Sequence, residues 1–497
     1  MKAKNINFKD IIEGKRLTFL VGAGCSVDAP SCIPAGREMM NKIIKYTCQQ
    51  SEIDKLLEIE QLRFEQLVEI IRDRLDPGLK IIDYYGLCDK PNIQHFFLAE
   101  MLKKGHFVMT TNFDFLIEYA LIQSGVPEGD IVPVITKKDF MTYNCPQVLF
   151  NDNKKAVYKI HGSTKNIITN KGTRDSLVAT IQAFGLGKEG ESIFQIEPFK
   201  RPMFENISRN RTLVMIGYSG NDDFDIIPTL KLLKDVENII WIDYITNDGG
   251  IEQIYEIDDK TSKNTEKANK ATRILEGIYS MKNAKNIYYI KCNTSRLLKD
   301  LLKINPLLNP NEFSLDPIEW LASNVKSANK FQKYIIPYKI YNSFDMHSDS
   351  MRCLKSLLSL AEEYGELSWK STALNDIGEI YKAQGKYTES LKLLKEAFKI
   401  DEQLNSRSGK ATRLNNIGRI YEVQGDYIKA IKYYKESLKI DEEIKNLSGK
   451  ATDLNNIGFI YKKQGNYAKA LDYYNEALKI SENIGNLSKK AIFLNNI

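Results

Sequence analysis

Four short runs hold residue types able to do chemistry: Gly22-Ala23-Gly24-Cys25-Ser26, Thr110-Thr111-Asn112-Phe113-Asp114, His161-Gly162-Ser163 and Gly217-Tyr218-Ser219-Gly220-Asn221-Asp222. Each directly follows a short apolar run. In the first, positions without side chains let a pyrophosphate approach backbone N–H groups at a helix N-terminus. A G-x-G turn also serves as a tight structural turn. The second run offers an amide and a carboxylate, which suit a ligand or the N-cap of the next helix, or both at once. The third offers an imidazole, able when neutral to accept a proton from water or a sugar hydroxyl; the alternative is a core histidine capping a strand. Cys25 and Cys32 flank the glycine turn, and nothing near them marks an activated thiolate.

The elements that must position these runs are short apolar strands alternating with helical patterns. Strands are expected at Leu17–Val21, Phe107–Thr110, 156–160, Thr212–Ile216, 239–242 and 287–290, and helices at 38–75, 93–104, 114–123 and 293–303. That alternation indicates a mostly parallel α/β sheet of Rossmann-like type, which places ligands at the C-terminal ends of its strands. The Pro306–Pro310 segment, PLLNP, interrupts the pattern.

The C-terminal part repeats. Leu374-Asn-Asp-Ile-Gly378 recurs at Leu414 and Leu454 and begins again at Leu494, 40 residues apart each time. Leu374, Ile377 and Tyr381 share one helical face. Gly378 permits close approach of a second helix, whose crossing positions are small (Ser390, Ala430, Ala470). Gly385 suits the turn between the two. Hairpins that cannot bury their faces singly stack into an all-α solenoid. The pattern resembles the tetratricopeptide repeat in a 40-residue form. A degenerate copy lies upstream, where Pro337 replaces Ile377 and is expected to bend or break the helix. The tyrosines at 381, 421, 433, 434, 461, 473 and 474 read as solenoid core and groove. The organisation expected is an N-terminal domain at 1–303, a linker at 304–330 and repeats at 331–497, the first degenerate and the last incomplete. Whether the natural chain continues past Ile497 stays open.

The order GAG, TNFD, HG, GYSGND on successive strand ends resembles the sirtuin NAD-binding domain, and more closely its bacterial branch in antiphage defence proteins. The resemblance covers about the first 300 residues. Sirtuins carry G-A-G-x-S followed by I-P-D-F-R; Gly22, Ala23, Gly24 and Ser26 match, as do Ile33 and Pro34. Ala35 and Gly36 replace the Asp-Phe pair, and Arg37 falls at the arginine, where it equally suits a surface position of a helix over 36–46. Against T-Q-N-I-D, Thr110, Asn112 and Asp114 match. The resemblance implies that Asn112 holds the nicotinamide-side ribose or an attacking water, that Asp114 recognises the carboxamide and that His161 is the active-site base. It further implies that Gly217 and Ser219 lie beside the phosphates and adenine-side ribose, Asp243 at a ribose hydroxyl and Asn293 at the adenine edge.

Residues 162–211 contain no cysteine, so the zinc ribbon of sirtuin deacetylases is missing. With the Asp-Phe loss, this favours plain NAD+ hydrolysis to nicotinamide and ADP-ribose over deacylation. The expected activity is an NAD+ nucleosidase (NADase) with NAD+ as substrate and no metal, regulated by the repeats, in abortive antiphage defence. The alternatives are an NAD-dependent deacylase without its zinc module, a non-catalytic sensor of NAD or ADP-ribose derivatives, or a repeat adaptor with a scaffold domain. The repeats would take a protein partner or a phage-derived trigger, and a homo-oligomer is expected.

Composition excludes other classes. Lys+Arg total 70 against Asp+Glu 64, a net +6 that signals neither nucleic acid nor membrane. No stretch of about 18 apolar residues is present. The charged N-terminus does not read as a signal peptide. Seven scattered cysteines without a C-x-x-C pair suit a reducing cytoplasm. The lysine-rich stretch 260–270 reads as a solvated loop or helix face. The trigger, the linear or cyclic form of the product, and the role of 38–104 stay open.

Overall fold

Alternate residues of the run 17–21 face opposite ways, as a strand requires. Leu17, Phe19 and Val21 enter one apolar core, while Leu20 enters another. The computed structural model describes residues 2–179, 196–220, 225–258, 269–302, 305–484 and 487–497. The chain forms two units: Met1–Ile43, Arg63–Arg72 and Asp76–Val325 make the first, and Ile44–Leu62, Asp73–Leu75 and Lys326–Ile497 make the second. Among the described residues no helix is long and apolar enough to cross a membrane.

The first unit is built on a nine-stranded sheet. Its strands are β1 (Lys2–Lys4), β2 (Leu17–Val21), β3 (Phe107–Thr110), β4 (Ile131–Val134), β5 (Lys155–Lys159), β8 (Thr212–Ile216), β9 (Val236–Tyr244), β10 (Gln253–Glu256) and β11 (Ala284–Cys292). A separate two-stranded ribbon pairs β6 (Lys165–Asn166) with β7 (Lys171–Gly172). The sheet order is β1-β10-β11-β9-β8-β2-β3-β5-β4. The seven strands from β11 to β4 run parallel, and β10 and β1 add antiparallel at one edge. Apolar side chains from helices cover both faces, as a parallel sheet requires. Helices Ile93–Lys103, Leu116–Gln123 and Thr294–Leu301 serve one core; Arg201–Ser208, Ile226–Leu232 and Lys270–Tyr279 serve the other. From β2 the chain goes first to β3 on one side and later to β8 on the other, so the winding reverses at β2.

The expected strands are all present, β9 and β11 longer than their apolar centres. Three strands escape the pattern. β1 is a short edge strand, β10 is a short strand between it and β11, and β4 carries Pro133, which the opposite edge tolerates because no further ladder needs its missing N–H. The helical stretch 38–75 divides into Gly36–Thr47, Gln50–Leu57 and Phe64–Arg74. Most of the lysine-rich stretch (260–268), with Asn221 and Asp222 of the GYSGND run, lies outside the described residues.

The second unit is a run of antiparallel helix pairs consistent with a tetratricopeptide solenoid. Helices Leu367–Ala383, Arg407–Val423 and Leu447–Lys463 alternate with Tyr387–Gln403, Tyr427–Glu443 and Tyr467–Asn483, keeping the 40-residue spacing. Gly385, Gly425 and Gly465 close the turns with φ of 76°, 78° and 76°, the left-handed conformation that helix ends assign to glycine. A Cβ on Gly418 would lie 2.7 Å from the Tyr434 ring, so the close approach expected of the LNNIG glycine is real.

Pro337 does not break its helix, Gln332–Asn342. A proline there leaves the carbonyl four residues earlier without its helical donor. That carbonyl, on Lys333, accepts instead from the backbone N–H of Gln49 at 3.0 Å. Next to it the helix Gln50–Leu57 docks on the first repeat. Glu52, 3% exposed, accepts from Tyr341 Oη at 3.0 Å and from Arg352 Nε at 3.2 Å, and Lys55 pairs with Asp349 at 2.6 Å. Part of the segment whose role the sequence left open therefore belongs to the repeats.

Candidate active site

The parallel ladder sets the ends of four neighbouring strands level. Ile216 pairs with Val21, Val21 with Thr110, and Thr110 with Lys159. Each is followed within two residues by one of the chemical runs: Gly217, Gly22, Asn112 and His161. Adjacent strands lie about 4.8 Å apart, so register alone gathers the four runs on one edge.

At the β2 and β8 ends the backbones pack directly on each other. Gly24 donates its N–H to Gly217 O at 2.8 Å, and Gly22 donates to Ile216 O at 3.0 Å. A Cβ would lie 2.6 Å from Gly217 O if added at Gly22, and 2.8 Å from Gly217 Cα if added at Gly24. Gly217 has φ 61°, and a Cβ on it would sit 2.4 Å from Cys25 N. The turn after β2 is a 3₁₀ turn, Ala23–Ser26, and the next α-helix starts only at Gly36. The expected helix N-terminus right after the glycines is thus replaced by a tighter turn, in which Gly24 N–H and Cys25 N–H are already bonded. Ala23 is exposed at its tip. Burial pushes the Cys25 and Cys32 thiols up, the opposite of activation.

Asn112 and Asp114 hang beyond β3. Thr110 Oγ1 donates to Val21 O at 3.0 Å and accepts from Asn112 N–H at 3.0 Å, which fixes the start of the loop. The Asn112 amide nitrogen donates to Gly22 O at 3.2 Å and Ser26 Oγ at 3.4 Å. Its Oδ1 is buried without a partner among the described residues. Asp114 accepts from Ser26 Oγ at 2.8 Å through Oδ2 and from Leu116 N–H at 3.1 Å through Oδ1. It therefore both caps the following helix and reaches into the cluster. Beneath it Lys159 donates to Asp114 O and lies 3.5 Å from Glu118; both side chains are 1% exposed. Burial holds the Glu118 carboxyl above its ordinary value despite that lysine.

Two partners were not visible in the motifs. His95 is fully buried and accepts from Asn92 N–H through Nδ1 at 3.1 Å. The proton of the neutral ring therefore sits on Nε2, 3.3 Å from Ser26 Oγ. Burial lowers the His95 pKa to about 4, so the ring is neutral near pH 7. The direction of donation runs from His95 to Ser26 to Asp114. The second partner is Asp225. It caps helix Ile226–Leu232 through Oδ1, 2.7 Å from Ile226 N, and its Oδ2 lies 3.2 Å from His161 Nε2. The one histidine of the largely apolar run 93–102, and a carboxylate just before helix 226–232, were the available signals.

The remaining expected residues are dispersed. Ser219 is exposed on the loop after β8, and Arg37 is half-buried in the first turn of helix Gly36–Thr47. Asp243, half-buried near the end of β9, accepts from Tyr289 Oη. Asn293 caps helix Thr294–Leu301, accepting from Arg296 N–H at 3.0 Å and donating to Thr246 O at 3.1 Å, so its side chain is already engaged.

Comparison with known proteins finds a related family in each part of the chain. A SIR2-like domain family model matches residues 106–236, and two tetratricopeptide repeat models match 371–407 and 409–483. No curated protein matches the chain. Similar solved structures include BtubC from P. vanneervenii (14% identity, 33% of this chain and 76% of that one, TM-score 0.28) and the apo form of RapI (22%, 33% and 46%, 0.30). Aspartyl phosphate phosphatase F from Bacillus subtilis is a third (19%, 36% and 47%, 0.32). The chain spans about half the length of the latter two. The protein carries a SIR2-like domain followed by tetratricopeptide repeats.

Proposed function

We propose that the first unit is an NAD+ glycohydrolase that releases nicotinamide and ADP-ribose, that the repeats regulate it, and that it serves antiphage defence. The observation that carries the reading is Asn112: a buried amide oxygen left without a partner among the described residues, beside the glycine turn that follows β2. A buried acceptor of this kind costs roughly 1–3 kcal/mol unless a ligand donor meets it. A ribose hydroxyl or a water is such a donor.

The chemistry asks little of the protein. The C1′–N bond of NAD+ breaks with its electron pair going to the ring nitrogen, so cationic nicotinamide leaves neutral and needs no acid. Water then adds to the oxocarbenium-like carbon and must lose a proton. Asn112 Oδ1 would orient the water or ribose. His161, held by Asp225 through Nε2, would accept the proton at its other ring nitrogen or by exchange of that contact. Asp114, fixed by Ser26 and the Leu116 N–H, would place the carboxamide.

The test is nicotinamide release from NAD+ by the full chain, with and without phage challenge of cells producing it. Asn112→Ala and His161→Ala are expected to lower release by at least about a hundredfold. NAD+ turnover that persists in both variants would overturn the reading. So would saturable NAD+ binding without any product under challenge.

A further inference from the structure

We propose that the repeat unit has a binding site for a small phosphorylated molecule, in a cavity between its first degenerate repeat and the next. The cavity is an open hollow of about 680 Å³ on the surface of the repeats. Its walls are the N-terminal half of helix His347–Glu363 and the end and turn of helix Leu367–Ala383. His347, Ser348, Arg352, Lys355, Tyr381 and Lys386 line it, and no carboxylate does.

The charge is uneven in a way that selects an anion. Arg352 is balanced by Glu52 and Asp349 and so is held in place with its charge offset. Lys355 and Lys386 have no ion-pair partner among the described residues, and Lys386 sits 5.5 Å from the Tyr381 ring centre. Two uncompensated ammonium groups facing one hollow suit a phosphoryl dianion. His347 Nδ1 is buried without a partner among the described residues, leaving one more ring nitrogen for a ligand. The cap residue of this helix, Met346, supplies no side-chain acceptor for the first-turn N–H groups.

The internal repeat supports the same place. The residue at the start of the second helix is tyrosine in the other repeats, Tyr387, Tyr427 and Tyr467, and only the degenerate repeat has the smaller His347. Lys386 likewise becomes Asp426 and Asn466 in the later turns. The departures from the repeat pattern thus enlarge the hollow and add Lys386 to it, whereas Lys355 recurs as Lys395 and Lys435. This inference does not depend on NAD+ hydrolysis by the first unit.

The test is calorimetric titration of the full chain with inorganic pyrophosphate and, separately, with ATP. Saturable binding is expected, and preference for one probe tells whether the phosphoryl group alone or a nucleotide is read. The pair Lys355→Glu/Lys386→Glu should weaken binding at least tenfold. His347→Tyr, which restores the repeat pattern, should do the same by filling the hollow, with melting temperatures unchanged. Asn112→Ala should bind as the wild type does. The proposal is overturned by no saturable binding at millimolar probe, by binding that these variants leave unmoved, or by binding lost in Asn112→Ala. A phosphoserine peptide that binds as tightly as either probe also overturns it, because the face would then read peptide.

Discussion

At the scale of single residues the site is a set of side chains fixed from behind. His95 illustrates the electrostatics. Its pKa falls from an ordinary 6.5 to about 4 because burial penalises the imidazolium. Between those values the unfolded chain binds a proton that the folded chain refuses. Stability from this group is therefore complete above pH 6.5 and is lost as pH falls toward 4, by up to about 1.4 kcal/mol per pH unit. His95→Gln should remove that slope, so the variant-minus-wild-type difference in urea unfolding free energy shifts in the variant's favour from pH 7 to pH 5. A constant difference across that range would contradict it. Asn112, Asp114 and His161 were legible in the sequence because each stands within four residues of a strand end. His95 and Asp225 were not, because their partners Ser26 and His161 lie 69 and 64 residues away in the chain. Only folding makes such pairs.

At the scale of elements the repeats were the most legible part, since a 40-residue period writes the same helix pair several times over. The core strands were legible for a related reason: a strand buried on both faces is a continuous apolar run. β1 (KAK) and β10 (QIYE) have no such run, and Pro133 interrupts the one in β4, so these three left no mark. The repeats also contain a polar interior that period alone does not announce. Asp453 is 1% exposed, and burial raises its carboxyl to about 7, with Asn415, Ser437, Asp441 and Lys489 around it. Here the folded state holds the proton more tightly than the unfolded chain, whose carboxyl titrates near 3.8. Its contribution is present below pH 3.8 and lost as pH rises through 7. Asp453→Asn should stabilise the repeats at pH 8 by about 1–3 kcal/mol and leave stability at pH 4 nearly unchanged. Equal effects at both pH values in thermal unfolding would refute it.

At the scale of the whole molecule the two units are interleaved in the sequence: Ile44–Leu62 and Asp73–Leu75 join the repeats, although first-unit residues surround them in the chain. A fragment starting at residue 326 would lack Glu52, Lys55 and the Gln49 N–H. Its Arg352 and Asp349 would keep only each other, and the Lys333 carbonyl would lose its donor. Such a fragment is expected to show fast hydrogen exchange in helix Gln332–Asn342 and normal protection in the later repeats, and adding a peptide of residues 44–62 should restore the first. Slow exchange in that helix without the peptide would show the docking to be dispensable. No composition change flags this exchange of segments; the helix Gln50–Leu57 reads as amphipathic, and its covering partner lies far along the chain.

The docking also has a consequence in time. Glu52 and Arg352 are 300 residues apart, and a ribosome adds about 5–20 residues per second. The helix that completes the first repeat is therefore made roughly 15–60 seconds before the surface it covers. The solenoid cannot be finished at its first end until nearly three quarters of the chain exists. Through that interval the newborn first unit must carry, unpaired, an amphipathic helix that belongs to the repeats.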